Sequence, residues 1–99
     1  MTKAYVIFHG TLTNPDRFMA DYGSKVSATI EAFGGKYLVR IGEITYQEGK
    51  ELGDINVVIE FPDMNAALSW KNSDQYQAIV RGRTENSQGT LMIIDGVSG

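Results

Sequence analysis

Three side chains suited to proton transfer and anion binding lie in segments of this sequence that are predicted to be strands. His9 belongs to the first such segment, Arg40 to the second and Glu60 to the third. A carboxylate next to an imidazole fixes the histidine tautomer and orients the ring as a base, and a guanidinium binds anionic groups. The residue types therefore make His9 and Glu60 candidate catalytic residues and Arg40 a candidate substrate-binding residue.

A second group of candidates, Trp70, Ser73 and Tyr76, lies in a helical region near the end of the sequence. Trp and Tyr combine a large apolar body with one polar tip, so these residues are candidates for the wall of a substrate pocket between helix and sheet. The alternative is core packing, with Ser73 or Asp74 capping a break in the helix. Both interpretations stay open from the sequence alone.

The elements that position these residues follow the order βαββαβ. Residues that are β-branched or aromatic predict four strands. Apolar residues at steps of three and four predict two helical regions, the first beginning after Asn14 and ending at Gly34-Gly35, the second broken at 72–74. The predicted strands are 4–13, 36–47, 55–61 and 89–97, the helical regions are 15–33 and 63–81, and the loops are 48–54 and 82–88.

This order predicts an α+β fold of the ferredoxin-like type, a sandwich in which a four-stranded antiparallel sheet carries two helices on one face. In that topology the strand order across the sheet is fourth, first, third, second. Alternation along each strand then places His9, Glu60 and Arg40 on the face without helices, with Glu60 between the other two. The alternative is a buried Arg40–Glu60 pair that sets the register of a dimer, with His9 packed beside it.

The sheet face without helices predicts a homodimer. Tyr5, Ile7, Leu38 and Val58 fall on this face, which is therefore partly apolar. A chain of 99 residues has the size of one domain, and we expect a single domain over residues 1–99. Since large exposed apolar patches are rare on monomers, we expect a second copy of the chain to cover this face, sheet against sheet.

Composition excludes several classes of site. The chain has no Cys and one His, which excludes disulfides, zinc–thiolate sites, iron–sulfur clusters and any two-histidine metal site within one chain. Dinucleotide, P-loop and hydrolase motifs are absent, and the third strand lacks the RNA-binding signature. A net charge of −3 argues against nucleic acid and anionic membranes. We therefore expect no metal, no cofactor and neither of those partners, and the lack of a signal peptide favours a cytoplasmic location.

Six segments carry a family resemblance: Ala4-Tyr5-Val6-Ile7, Asn14-Pro15-Asp16, Gly34 to Arg40, Val58-Ile59-Glu60-Phe61-Pro62, Trp70 with Ser73 and Tyr76, and Asp95-Gly96-Val97. In order and spacing they resemble the domain-of-unknown-function family numbered 1330, over roughly residues 3–97. That family is part of the dimeric α/β-barrel superfamily, in which two ferredoxin-like subunits join their sheets face to face. The resemblance implies an intracellular homodimer and supplies no reaction, because the family has no established one. Every candidate except His9 matches the family pattern, which more often has an acidic or small residue at that position.

Two functions of different classes are compatible with these features. The first is a cofactor-independent enzyme that acts on a small organic molecule: Arg40 holds an anionic group and His9 or Glu60 moves a proton, while Trp70 and Tyr76 line the pocket. The alternative is a non-catalytic dimer that binds a small molecule or has a structural role. A haem protein is a third and weaker hypothesis, because His9 is the only candidate axial ligand and lies on a predicted strand. A pocket that reaches His9 and Arg40 would favour the enzyme, and a fully packed interface between sheets would favour the alternative.

Overall fold

The chain forms a four-stranded antiparallel sheet with its helices packed on one face, in a computed structural model that describes residues 2–50 and 53–98. The sheet order is β2-β3-β1-β4, which confirms the predicted ferredoxin-like fold class and strand order. The strands are β1 (Ala4–Leu12), β2 (Lys36–Arg40), β3 (Ile55–Phe61) and β4 (Ser87–Asp95), and the helices are α1 (Pro15–Phe18), α2 (Val26–Ala32), α3 (Met64–Asn72), α4 (Asp74–Gln77) and α5 (Val80–Thr84).

The core lies between the helices and the sheet. In β1 the buried residues Ala4, Val6 and Phe8 alternate with partly exposed ones, as the predicted period of two requires. Trp70 of α3 is fully buried, with its ring centroid 5.4 Å from that of Phe61. Large apolar side chains of the sheet therefore pack directly against the aromatic side chains of the helices.

The first helical region is interrupted, whereas a continuous helix over 15–33 was expected. Asn14 caps α1 as predicted, since its Oδ1 accepts from the Arg17 amide at 3.2 Å. A π-helical turn (Met19–Gly23) then separates α1 from α2, and the Ser24 amide donates to the carbonyl of Met19. A Cβ on Gly23 would lie 2.6 Å from the Met19 sulfur. Glycine both weakens an α-helix and leaves room for Met19 at this wider turn.

The second helical region breaks at Ser73, as predicted, and then continues further than predicted. Helix α5 ends at Thr84 and β4 begins at Ser87, so the loop expected over 82–88 is wrong for most of its length. Asn86 Nδ2 donates to the carbonyl of Gly82 at 2.9 Å, which satisfies an acceptor that the end of a helix leaves free. A Cβ on Gly82 would lie 2.8 Å from the backbone of Asp21, so this glycine lets α5 approach the π-helical turn.

Strand β2 is shorter than predicted and contains a bulge. It ends at Arg40 rather than at 47, because the backbone turns at Ile41, whose φ of 54° lies in the left-handed region. Tyr37 pairs with Ile59 and Val39 pairs with Val58, which leaves Leu38 as an extra residue between them. Of the polar loop predicted over 48–54, residues 51 and 52 lie outside the described residues.

Candidate functional site

The bulge in β2 moves Arg40 to the helix-facing side of the sheet. Arg40 pairs with Val57, and Val57 pairs with Phe8, which is buried under the helices. Directly paired residues share a face of the sheet. The prediction that Arg40 lies on the open face is therefore wrong, because one extra residue shifts the alternation of the strand by one position.

Glu60 lies on the open face, and its partners are not the predicted ones. Its carboxylate is 3.1 Å from Lys3 Nζ and 3.7 Å from Lys36 Nζ, and it accepts a hydrogen bond from Tyr5 Oη at 3.4 Å. The hydrogen bond from Lys3 lowers the pKa of Glu60 below its ordinary value. The predicted pairing of Glu60 with Arg40 is therefore wrong: the two residues lie on opposite faces of the sheet.

His9 lies on the open face too, but at a distance from Glu60. It pairs with Asn56, whereas Glu60 pairs with Tyr5, so four residues of β3, or about 13 Å, separate the two positions. The Nε2 atom of His9 is buried and has no hydrogen-bond partner among the described residues. Beside it is an open groove, formed with the loop that includes Tyr46. The structure does not bring His9, Glu60 and Arg40 together.

A cavity of about 80 Å³ lies between the sheet and the helices. Its lining is mainly apolar and includes Trp70 and Tyr22 from the helical side and Tyr37 from the sheet. The most exposed apolar lining side chains are Met19 and Ile41, and Arg40 beside Ile41 is exposed too, which places the mouth between the π-helical turn and the end of β2. This cavity lies between helix and sheet and reaches Arg40 but not His9, so it meets one half of the condition that would favour an enzyme.

Two arginine side chains border this cavity. The guanidinium carbon of Arg40 lies 5.0 Å from the ring centroid of Tyr37, and that of Arg83 lies 5.7 Å from the ring centroid of Phe8. Neither has a carboxylate within ion-pair distance in residues 2–50 and 53–98, and no acidic side chain is among the residues that line the cavity. The cavity is therefore apolar along its walls and positively charged at its polar positions.

A chain of hydrogen bonds leads from Arg83 to the cavity wall. Arg83 Nε donates to Tyr76 Oη at 3.3 Å, and Tyr76 Oη lies 3.0 Å from Tyr22 Oη. Burial, and after it the neighbouring Tyr76, raises the pKa of Tyr22 far above its ordinary value. The Tyr22 phenol is therefore protonated at neutral pH.

The predicted substrate-binding residues divide into three positions. Arg40 and Trp70 line the cavity, and Tyr76 lies behind its wall in contact with Tyr22. Ser73 caps α4, where its Oγ accepts from the Tyr76 amide at 3.1 Å and donates to the carbonyl of Trp70 at 2.7 Å.

Three lining residues with polar groups, Tyr22, Tyr37 and Arg83, were not among the candidates from the sequence. Tyr22 counted only as one of the apolar positions of the first helix, and Arg83 as part of a predicted loop. The sequence could have indicated Arg83 in one way: it follows Tyr76 by seven residues, which is about two turns of a helix, so the two side chains would lie on the same helix face.

The described residues contain neither a metal-ligand cluster nor a membrane-spanning helix. No group of three or more His, Cys, Asp or Glu residues capable of holding a metal ion occurs in 2–50 and 53–98. Within those same ranges no helix is long and apolar enough to cross a membrane.

Comparisons with known proteins identify the fold and a family. A model of a family described as a domain of unknown function, DUF1330, matches residues 3–97. No curated protein matches the chain. Among solved structures, the RPA0582 protein of unknown function from Rhodopseudomonas palustris is similar, with a TM-score of 0.74 at 18% identity over 99% of this chain and 85% of that one. SnoaB from Streptomyces nogalater, described as a cofactor-independent oxygenase, has a TM-score of 0.63 at 10% identity over 100% of this chain and 97% of that one.

Proposed function

The chain belongs to the DUF1330 family, and from this membership and the cavity we propose that it is a cofactor-independent enzyme acting on a small organic molecule. The observation that carries the proposal is the apolar cavity with Arg40, Arg83 and the Tyr22 phenol at its polar positions. The similarity to SnoaB supports the proposal in one respect, since a cofactor-independent oxygenase is built on the same fold.

The residues of the cavity favour chemistry that passes through an anion. A guanidinium next to a bound weak acid stabilises its ionised form and so lowers its pKa. Arg40 and Arg83 would therefore favour loss of a proton from a bound phenol, enol or similar group. Trp70 and the apolar walls would hold the body of the molecule and keep water away from it, which strengthens this electrostatic effect.

The catalytic roles predicted for His9 and Glu60 stay proposals and would require a second ligand position. Both residues lie across the sheet from the cavity, so neither reaches a molecule bound there. The groove beside His9 is the place where such a ligand would bind. The substitution His9→Gln tests this proposal. Loss of turnover with unchanged binding to the cavity would show that the reaction takes place on the open face.

The alternative function is a dimer that binds a small molecule without converting it. The observation in its favour is that neither a carboxylate nor an imidazole, the usual general bases, is among the residues of 2–50 and 53–98 that line the cavity. In this alternative the arginines serve binding alone. Binding without turnover is the result that would select it.

The test combines binding with turnover on the full chain. Phenols, enols and aryl carboxylates are screened by thermal shift, and the compounds that bind are followed by absorbance and in an oxygen electrode. We expect a compound that raises the melting temperature and is consumed. The substitution Val57→Phe, which fills the cavity, should abolish both signals, whereas Leu68→Phe on the exposed side of α3 should leave both unchanged. Absence of any binding would refute the proposal.

We also propose that two copies of the chain associate through their open sheet faces. Val39, Val58, Ile7 and Met92 are paired in sequence across β2, β3, β1 and β4. They form one apolar row that spans the whole open face of the sheet, and we call it the open-face row. A row of this length exposed to water favours burial against a second copy.

A further inference from the structure

We propose that the cavity binds a small aryl or alkyl carboxylate, with the carboxylate between Arg40 and Arg83 and the apolar body against Trp70. This inference names the ligand class of the site described above and rests on the proposal that the cavity binds a small molecule. It does not depend on whether the bound molecule is then converted.

The sheet register places the two arginines at the same end of the cavity. Arg40, Val57 and Phe8 are directly paired across three neighbouring strands, so the Cα atoms of Arg40 and Phe8 lie about 10 Å apart. The guanidinium of Arg83 lies over the Phe8 ring. The Arg40 guanidinium lies over the Tyr37 ring on the other side of Val57, so an anion bound above Val57 would lie between the two arginines.

The charge at this end of the cavity is not balanced in residues 2–50 and 53–98. Elsewhere in these ranges acidic partners are found for arginines, as in the Arg17–Asp21 and Arg81–Glu85 pairs. Arg83 is partly buried beside the apolar cavity, whereas Arg40 is exposed; a partly buried cation loses hydration, and an opposite charge recovers that loss. Because a carboxylate binds a guanidinium through two parallel hydrogen bonds, it is the anion that this geometry fits.

The hydrogen bonds between Arg83, Tyr76 and Tyr22 can supply the Tyr22 hydroxyl as a neutral donor near Arg83. Tyr76 Oη accepts from the Arg83 guanidinium, which makes its own proton a stronger donor. Either hydroxyl of the Tyr22–Tyr76 pair can be the donor. When Tyr76 donates to Tyr22, the Tyr22 proton is free for a ligand, and the Tyr22 side chain lines the cavity. A carboxylate oxygen would accept this hydrogen bond.

The size and lining of the cavity define the rest of the ligand. A cavity of about 80 Å³ is smaller than the cavity of about 150 Å³ that holds benzene in a protein core. A single ring or a short chain therefore fits only if it extends into the mouth near Ile41. Among the described residues, Tyr37 is the remaining lining residue with a hydroxyl, so the walls offer few partners for further hydroxyl or amino groups on the body of the ligand.

The test compares matched ligands on the full chain. Dissociation constants at pH 7 are measured by calorimetry for 3-phenylpropionate and 3-phenylpropanamide, which differ in charge and hardly in shape. We expect the acid to bind at least tenfold more tightly than the amide. We expect this preference to be lost in Arg83→Met and Arg40→Met and to persist in Arg81→Met, the control on the same helix as Arg83. Tyr22→Phe should weaken binding of the acid severalfold.

The outcomes separate this inference from the proposed function. Equal binding of acid and amide, or equal losses in Arg81→Met and Arg83→Met, would overturn the carboxylate assignment and leave the cavity as a binding site. Absence of binding by either ligand, while a phenol or enol binds, would overturn the carboxylate assignment alone, and absence of binding by every compound tested would overturn both. Binding of the acid without turnover of any carboxylate would support the inference against the catalytic proposal. If Arg83→Met does not fold, as judged by circular dichroism, Arg83→Gln replaces it.

Discussion

Thr29 connects the largest side chain of the core to the backbone of α2. Its Oγ1 accepts from Trp70 Nε1 at 3.0 Å and donates to the carbonyl of Val26 at 2.6 Å. Thr29→Val keeps the shape but leaves the buried indole N–H without a partner, which should lower the free energy of unfolding by about 1–3 kcal/mol. Urea denaturation measures the loss. Thr29→Ser, which keeps the hydroxyl, is the control, and equal losses in the two variants would contradict the assignment.

Glu60 should make the stability of the folded protein depend on pH. Because the hydrogen bond from Lys3 lowers the pKa of Glu60 below its ordinary value of 4.5, the folded state favours the ionised form. This stabilisation is complete above the ordinary value and is lost as the pH falls through the lower folded value. The melting temperature of Glu60→Gln should therefore lie below that of the wild type at pH 7, and the gap should close towards pH 3. A gap independent of pH, or one shared by Glu31→Gln, would contradict this origin.

The sequence makes Ser73 a candidate substrate-binding residue, whereas the structure shows it as the cap of a helix. Its side chain caps α4 and also bonds the last turn of α3. Ser73→Ala should lower the free energy of unfolding by about 1 kcal/mol, as measured by chemical denaturation, without changing the affinity of a ligand bound in the cavity. Ser69→Ala, on the exposed side of α3, is the control. A loss of affinity at full folding would instead place Ser73 in the binding site.

The elements also explain why the sequence predicts the sheet better than the site. Strand β3 has apolar residues at every second position, and its bounds and buried face are as predicted. Strand β2 contains a bulge at Leu38, which its pattern of side chains does not reveal because both neighbours of Leu38 can lie on either face. The face of Arg40 depends on that bulge, and so does the place of Arg40 in the cavity. The π-helical turn at Gly23 is invisible for a similar reason, since the apolar spacing continues through it.

At the scale of the whole molecule, the open-face row predicts a homodimer at micromolar concentration. Met92→Glu places a charge in this row and should shift the protein to monomer, as measured by sedimentation velocity. Leu68→Glu is a matched control, because Leu68 is 42% exposed and Met92 44% exposed, but Leu68 lies on α3. A wild-type protein that sediments only as a monomer would refute the proposal. Dissociation by Leu68→Glu would place the interface on the helices.

The extra residue in β2 has a consequence for how relatives of different length are compared. A chain that lacks Leu38 keeps every cross-strand partner of Tyr37, Val39 and Arg40, and its strand becomes regular and less twisted. In an alignment with such a shorter relative, the gap therefore belongs at Leu38. A gap placed at Arg40 instead aligns Val39, which points away from the cavity, with the residue of the relative that corresponds to Arg40 and points into the cavity. The arginine of the site is then compared with the wrong residue.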